Sequence, residues 1–376
     1  MRILSICYEY PPLGGGGAKV VDGLTEELVK NDCQIDLVTM WYRGLPFSEK
    51  KGNLNIIRVP CLRFNMGVCH IWEMPLYLIF AMPILAYRCM RYRYDLIHTH
   101  FIFPDGMLST IVGKLFRIPA IITAHGSDVP GYNPDRFKIA HRILTPLWRL
   151  VVRSAEKIVC PSRSIEQLVL AQAPQTRTVI IPNGIDLHKF CPSREKKDRI
   201  LVVTRMFERK GVQYLLTALD EFEHEHEYEI HIVGDGPYLS VLEGHVDEKN
   251  IDIKFWGYLD NQSREIRDLY ETSSIFVFTS EAENFPIVLL EAMAAGLAII
   301  TTESTGCAEV VGDAALLVKP RDSQGIRHSL ERLMADPALI NKLGRAASER
   351  LVKQFGWATV AERYVAVYQE IDNSNH

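Results

Sequence analysis

Short β-branched runs alternate with helical patterns from end to end, and that alternation restricts the chain to parallel sheets covered by helices. In the first half the strand candidates are Ile3 to Cys7, Ile35 to Thr39, Ile56 to Val59, Leu96 to Thr99, Ala120 to Thr123, Lys157 to Cys160 and Val179 to Ile181. In the second they are Ile200 to Val203, Glu229 to Val233, Ile253 to Phe255, Ile275 to Phe278 and Ala298 to Thr301. Each half restarts alike, "RILSICY" at Arg2 and "RILVVTR" at Arg199, a strand running into a polar or glycine-rich loop and then a helix. The expected architecture is α/β, two Rossmann-like doubly wound domains in tandem. Ligands of such sheets bind at the carboxyl ends of the strands, which here would face one cleft. Between the halves "PNGIDLHKFCPSREKKD", Pro182 to Asp198, carries turn signals, a second proline and a charge run, and reads as the linker. The domains are then residues 1–182 and 183–356, followed by an amphipathic helix pattern from Trp357 to Ile371.

Composition narrows the class. A chain of 376 residues with 47% hydrophobic and 23% charged residues is an ordinary globular one, long enough for two cores. Its formal charge of -4 gives no basic face for nucleic acid. Eight scattered cysteines without a CxxC pair read as reduced thiols rather than a disulfide framework or zinc site. The opening "MRILSICYEYPP" turns to prolines before a signal-peptide core could form, so a cytoplasmic protein is expected. The longest uncharged run, Met74 to Tyr87, makes a helix of about 20 Å, too short for a hydrocarbon core of about 30 Å. Arg88, Arg91 and Arg93 follow it, interleaved with Tyr87, Tyr92 and Tyr94. Residues 74–94 therefore read either as a buried helix, the preferred reading, or as a segment docking peripherally on an anionic membrane surface.

The stretch "SEAENFPIVLLEAMAAGLAIITT", residues 280–302, sets Glu283 and Glu291 around the start of an apolar helix. Phe285 is expected as the cap and Pro286 in the first helical position. The amides of Phe285, Ile287 and Val288 would then face an anion at the helix start. A ligand with its phosphate there could present a ribose to Glu291 and another polyol to Glu283. Alternatively, Glu283 is a favourable first-turn charge and Glu291 an exposed helical residue. In "RMFERKG", Arg205 and Lys210 follow the strand Ile200 to Val203 and could bracket a diphosphate, or form a solvated basic loop.

"YPPLGGGGAK", Tyr10 to Lys19, puts four consecutive glycines between a strand and a helix, permitting close approach by phosphate or sugar. It is neither a Walker loop nor a GxGxxG fingerprint. "VGDGP", Val233 to Pro237, reads as a tight strand-to-helix turn, and "TAHGSD" places His125 in a loop after a strand. His98 and His100, on one strand face without a third ligand, read as strand-end histidines bonded within their loop, not as metal ligands. His224, His226 and His231 read as surface residues.

Taken together and in order, these motifs resemble the retaining nucleotide-sugar glycosyltransferases of family 4, with the GT-B fold, from about residue 1 to the closing "FGWATVAERYVAVY". The resemblance implies a donor held mainly by the second domain. Arg205 and Lys210 would neutralise the diphosphate, aided by helix-start amides near Phe285, Pro286, Ile287 and Val288, although Pro286 itself, where many members have glycine, cannot donate. Glu291 would hold the ribose and Glu283 the transferred sugar. Gly15 and Gly16 would close over phosphate or acceptor, and His125 would contact the sugar. The loop near Gly257 and Tyr258 would select the base. The resemblance also implies that residues 357–376 cross back to the first domain, and that no divalent metal or other cofactor is needed, since two fixed cations and a helix terminus can stabilise the leaving group.

The function expected from this resemblance is hexosyl transfer from a UDP- or GDP-linked sugar to a saccharide or lipid-linked saccharide, as in cell-surface glycan assembly. No carboxylate pair spans the expected anomeric position as in glycosidases. Two alternatives stand beside it. One is a nucleotide-sugar-binding regulator or inactive partner subunit. The other is a nucleotide-sugar epimerase, which should need acid and base groups on both ring faces, and no convincing pair is present.

Overall fold

The computed structural model describes residues 1–67, 69–132, 138–192, 195–220, 228–249, 253–303 and 306–375, with side chains for all except 138–143, 247–249 and 374–375. His224 and His226 lie outside the described residues. The chain divides into two compact units, Met1–Gly184 with Trp357–His376, and Ile185–Gly356.

The first unit runs β1 (Arg2–Ile6), α1 (Gly16–Lys30), β2 (Gln34–Met40), β3 (Ser48–Lys51), β4 (Leu54–Val59), α2 (Met74–Arg91), β5 (Leu96–His100), α3 (Asp105–Phe116), β6 (Ala120–Thr123), α4 (Lys138–Ser154), β7 (Lys157–Cys160), α5 (Arg163–Gln172) and β8 (Thr178–Ile180). Its sheet has the order β3-β4-β2-β1-β5-β6-β7-β8 and is parallel except where β3 pairs with β4. Every residue of β5 and β6 is buried, as expected of a parallel sheet covered on both faces. β3 is "SEKK", an exposed polar edge strand with no hydrophobic alternation, so the sequence pattern missed it.

The second unit runs β9 (Arg199–Val203), α6 (Val212–Asp220), β10 (Glu229–Val233), α7 (Leu239–Lys249), β11 (Ile253–Phe255), α8 (Arg264–Thr272), β12 (Ile275–Phe278), α9 (Ile287–Ala294), β13 (Ala298–Thr302), α10 (Gly306–Val311), β14 (Leu316–Val318), α11 (Ser323–Ala335) and α12 (Pro337–Phe355). Its parallel sheet has the order β11-β10-β9-β12-β13-β14. The final helix, α13 (Trp357–Asn375), belongs to the first unit. It sends Val360, Ala361, Tyr364, Val367, Tyr368 and Ile371 into the core that also holds Ile3, Leu37 and Ile121. That spacing is one helical face, and it explains why the closing stretch is amphipathic.

Strand order reverses between β1 and β5 in the first unit and between β9 and β12 in the second. The loops leaving those strands are where a doubly wound sheet binds ligands. They hold the glycine run, the β5 end, "RMFERKG" and the Glu283 loop.

Three expectations need correction. The segment from Pro182 to Asp198 is no loose linker at its start: Ile185 and Phe190 are buried in the second unit's core, Ile185 N–H donates to Phe355 O at 2.9 Å, and Lys196 Nζ donates to the carbonyls of Glu271 and Ala295. Helix α2 is not a buried helix. It packs Tyr77, Ala81 and Leu85 inward, one residue per turn, and leaves Ile79, Phe80, Tyr87 and Met90 exposed. Arg88 does not flank that face as a free cation, because it pairs with Asp36 at 2.5 Å. His231 is not at the surface but buried on β10, where Trp256 Nε1 donates to its Nδ1 at 3.1 Å. Among the described residues no helix is long and apolar enough to cross a membrane, and no disulfide forms.

Candidate active site

In the second unit the loop after β9 is stitched to the loop after β12. Thr279 Oγ1 donates to Gly211 O at 2.9 Å, and Glu281 N–H donates to Arg209 O at 2.9 Å. The contact is close enough to require glycine, since Gly211 has φ +73° and a Cβ there would stand 2.2 Å from Thr279 O. From the other side Gly306, at the start of α10, donates its N–H to Glu283 O at 2.9 Å. A Cβ on Gly306 would lie 1.6 Å from Asn284 O. The Glu283 loop is thus clamped between "RMFERKG" and α10, and the clamp sets Lys210 against Glu283.

Lys210 Nζ donates to Glu283 Oε1 in an ion pair, and Ser280 Oγ donates to the same oxygen at 2.8 Å. Arg205 is exposed in the same loop. The neighbouring "VGDGP" turn packs on that loop's other flank: Met206 N–H donates to Asp235 O at 2.9 Å, and Tyr238 N–H to Met206 O at 3.0 Å. This is the tight strand-to-helix turn expected, and its second task is to hold the Arg205 loop in place.

Helix α9 starts one residue later than its sequence suggests. Pro286 is the cap rather than the first helical residue, with Ile287 following. Leu289 N–H is bound to Pro286 O at 3.1 Å, so the amides of Ile287 and Val288 precede the first internal bond of the helix. The ring of Phe285 packs edge-on against Phe355, which fixes the approach of the chain to α9.

Glu291, one turn into α9, is 2% exposed, which excludes the reading of an exposed helical residue. Its carboxylate receives Lys189 Nζ and Asn261 Nδ2 (2.9 Å) on one oxygen and the Tyr270 hydroxyl (3.1 Å) on the other. Burial and the adjacent carboxylate push the Tyr270 phenol well above its usual range, so it stays a donor. Sequence reasoning missed all three partners. Lys189 stood in what read as a linker, and Asn261 and Tyr270 carry no motif. Asn261 shares the loop after β11 with Gly257, whose φ is +61°, and with Tyr258, 74% exposed. That loop joins the suspected base-selecting residues to Glu291.

In the first unit Gly15 caps α1 without a side-chain bond, and positions 15 and 16 face open space, where a Cβ would meet nothing within 4 Å. His125 follows β6. Its N–H donates to Asp128 Oδ1 at 3.0 Å, its ring packs 4.4 Å from Phe101, and its Nε2 lies 3.4 Å from His100 Nδ1. Burial lowers the His125 ring to about 4 and the His98 ring to about 3, so both are neutral bases at neutral pH. His98 and His100 are not bonded within their own loop, as the sequence suggested. His98 bonds Thr123 Oγ1 on β6 (2.9 Å) and the Tyr368 hydroxyl on α13 (2.8 Å). Among the described residues no cluster of ligands could hold a metal ion.

Comparison with known proteins bears on the family and the fold. Residues 14–189 match the family described as Glycosyltransferase Family 4, and residues 185–350 match Glycosyl transferases group 1. The chain is 25% identical over 376 residues to N-acetyl-alpha-D-glucosaminyl L-malate synthase of Bacillus anthracis, covering 96% of this chain and 95% of the relative. Its fold matches sucrose-phosphate synthase of Thermosynechococcus elongatus with a TM-score of 0.78 at 23% identity, covering 99% of each chain. It also matches HepE of Anabaena in complex with UDP, with a TM-score of 0.75 at 16% identity, covering 98% of this chain and 100% of that one. With both halves of the chain matched in order and two Rossmann-like units in its fold, the protein belongs to the family 4-type glycosyltransferases of the GT-B fold.

Proposed function

We propose that the protein is a retaining, metal-independent hexosyltransferase that uses a nucleoside diphosphate sugar, with the donor held by the second unit. The observation that carries this reading is the clamped pair of Lys210 and Glu283, formed between the loop that also carries Arg205 and the loop that leads into α9. A diphosphate entering there meets two cations and a helix start, and these supply the charge stabilisation that a metal ion supplies elsewhere. Its arrival draws Lys210 toward phosphate and frees the Glu283 carboxylate for hydroxyls of the transferred sugar. Glu291 takes the ribose with the lone pair left by its three donors, and Tyr258 offers an exposed ring face to the base.

In the transfer step the bond between the anomeric carbon and the leaving phosphate oxygen breaks, and the acceptor oxygen bonds to the same face. The acceptor proton passes to the departing phosphate oxygen. Arg205 and Lys210 hold the diphosphate as its charge grows. His125, a neutral ring in this structure, contacts the sugar without competing for that proton, and Gly15 and Gly16 leave room for phosphate or acceptor.

The acceptor reading, a saccharide or lipid-linked saccharide in cell-surface glycan assembly, rests on the first unit's surface. Ile79, Phe80, Tyr87 and Met90 of α2 and Ile111 and Leu115 of the contacting α3 are exposed, with Arg91, Arg93, Lys114 and Arg117 exposed around them. An apolar face rimmed by cations suits peripheral contact with an anionic membrane surface.

The test is a thermal-shift series with UDP, GDP, ADP and their sugar conjugates, with and without EDTA, followed by NMR of the product's anomeric configuration. A midpoint raised by one nucleotide and kept in EDTA, with the donor's configuration retained, is expected. Inverted product or binding abolished by EDTA would overturn the retaining or the metal-independent part. Tight nucleotide binding without diphosphate release would favour a regulator.

A further inference from the structure

We infer that the acceptor carries an apolar group, an aromatic ring or an alkyl chain, that seats in a pocket of the first unit beside His125. The inference rests on the proposed assignment of that unit to the acceptor. The pocket has a volume of about 150 Å³ and is walled by Tyr8, Ile71, Met74, Phe101, Phe103 and Trp148. That volume is enough for a benzene-sized apolar group.

Two of the polar groups on its wall, Asp128 and Trp148, are already engaged. The Asp128 carboxylate accepts the N–H groups of Ile102 (2.6 Å) and His125 (3.0 Å), and Trp148 Nε1 donates to Asp128 O at 2.9 Å. A polar guest would therefore lose its hydration against walls whose Asp128 and Trp148 groups are committed, whereas an apolar one loses nothing.

Phe101 fixes the relation of this pocket to the catalytic loops. It lines the pocket, stands 5.0 Å from Tyr8 and 4.4 Å from His125 between ring centroids, and its Cζ would be 2.8 Å from a Cβ on Gly17. A group seated against one side of Phe101 therefore places whatever it is attached to alongside His125 and the glycine run. Ile71, which also lines the pocket, is exposed, and the next residue, exposed Trp72, packs 5.0 Å from exposed Phe64. A chain longer than the pocket has an apolar track to follow. A free sugar acceptor would use neither feature.

The experiment is calorimetric titration of the whole chain with phenyl, n-hexyl and methyl β-D-glucopyranoside, which share one sugar and differ in the apolar group. The phenyl or hexyl glycoside is expected to bind about tenfold or more tighter than the methyl one, as burial of a ring or several methylenes requires. The two arms separate an aromatic from an alkyl guest. Met74→Trp, which fills the pocket, should reduce that advantage to the methyl level. Phe103→Ala, which enlarges it, should shift preference toward hexyl, and circular dichroism checks that each variant folds. Equal binding of all three glycosides overturns the inference. So does an advantage that survives Met74→Trp with an unchanged preference in Phe103→Ala, since the apolar group would then sit elsewhere, for example on the exposed face of α2. Glycoside binding is read without nucleotide, so failure of the donor assignment, seen as no nucleotide-induced shift, is a separate result.

Discussion

Lys210 and Glu283 are joined in an ion pair across two loops of different strands, each side chain 12% exposed. The pair compensates a cation in a place that otherwise suits an anion. A diphosphate and Glu283 would then compete for one ammonium, and the outcome of that competition separates the two residues experimentally.

Replacing Glu283 by Gln removes the competitor while keeping the shape of the side chain. Nucleoside diphosphate affinity is expected to hold or rise by up to about tenfold, while transfer falls by about 10² or more, because the sugar loses its acceptor for hydroxyl hydrogens. Lys210→Met should do the reverse to binding, weakening it in a way that shrinks at high salt. Isothermal titration with the cognate diphosphate and a donor-turnover assay measure both. Loss of affinity in Glu283→Gln would contradict the competition.

Glu291 predicts a different pattern, because it is buried under three donors. Glu291→Gln leaves the Lys189 ammonium without its anion, and unfolding by urea should show a loss of about 2 kcal/mol together with weaker nucleotide binding. Lys189→Met supplies the comparison. If Glu291 touches the ribose directly, Lys189→Met should cost stability but less affinity than Glu291→Gln. Equal affinity losses would make the cluster structural support alone.

The sequence announces the parallel sheets because covered strands must be apolar along their whole length, and runs such as Ile275 to Phe278 are buried at every residue. The paired acids and the basic loop were legible because they sit at strand ends, where spacing along the chain translates into nearness. Lys189, Asn261 and Tyr270 were not legible. They converge on Glu291 from residues 102, 30 and 21 positions away, through packing that no local pattern records. The α2 face failed for a related reason. A stretch apolar all round fixes that one side is buried but not that the other is covered, and only the fold showed Ile79 and Phe80 left outside.

The clamp on the Glu283 loop makes Gly306 a sensitive position although it has no side chain to offer a ligand. Gly306→Ala sets a methyl where Asn284 O stands, so the loop must move away from "RMFERKG" or α10 must shift. Nucleotide affinity should fall by about tenfold or more, with little change in the circular dichroism of the whole chain. Unchanged affinity would show that the loop's position does not govern the site.

The exposed face of α2 can be tested without any substrate. Ile79→Ser with Phe80→Ser should reduce sedimentation with vesicles containing anionic phosphatidylglycerol, as should Arg91→Gln with Arg93→Gln. The charge substitutions should lower binding to anionic vesicles while leaving binding to neutral vesicles nearly unchanged, and the difference should shrink with added salt, since about 1 kcal/mol per cation depends on the surface potential. Wild-type protein that ignores both vesicle types would remove the membrane reading and leave the pocket beside His125 untouched.

The last prediction concerns how α13 is attached. His98 is 2% exposed and takes a hydrogen bond from or to Tyr368 on that helix and Thr123 on β6. Burial lowers its ring from an ordinary value of 6.5 to about 3. The unfolded chain therefore binds a proton at this site between those values and the folded one does not, so stability is fully present above pH 6.5 and falls as the pH drops toward 3. His100 and His125, lowered by burial as well, act in the same direction, while Asp128, raised to about 6, acts in the opposite one. Comparing wild type with His98→Gln cancels most of those neighbours. At pH 8 the variant should be less stable by about 1 to 3 kcal/mol for its disturbed bonds. That gap should narrow below pH 6.5, because only the wild type must keep a ring at position 98 unprotonated, at about 1.4 kcal/mol for each pH unit. Urea titrations at pH 8, 6.5 and 5 read the gap directly, and a gap that widened on acidification would mean the ring takes up its proton more readily in the fold than in the unfolded chain.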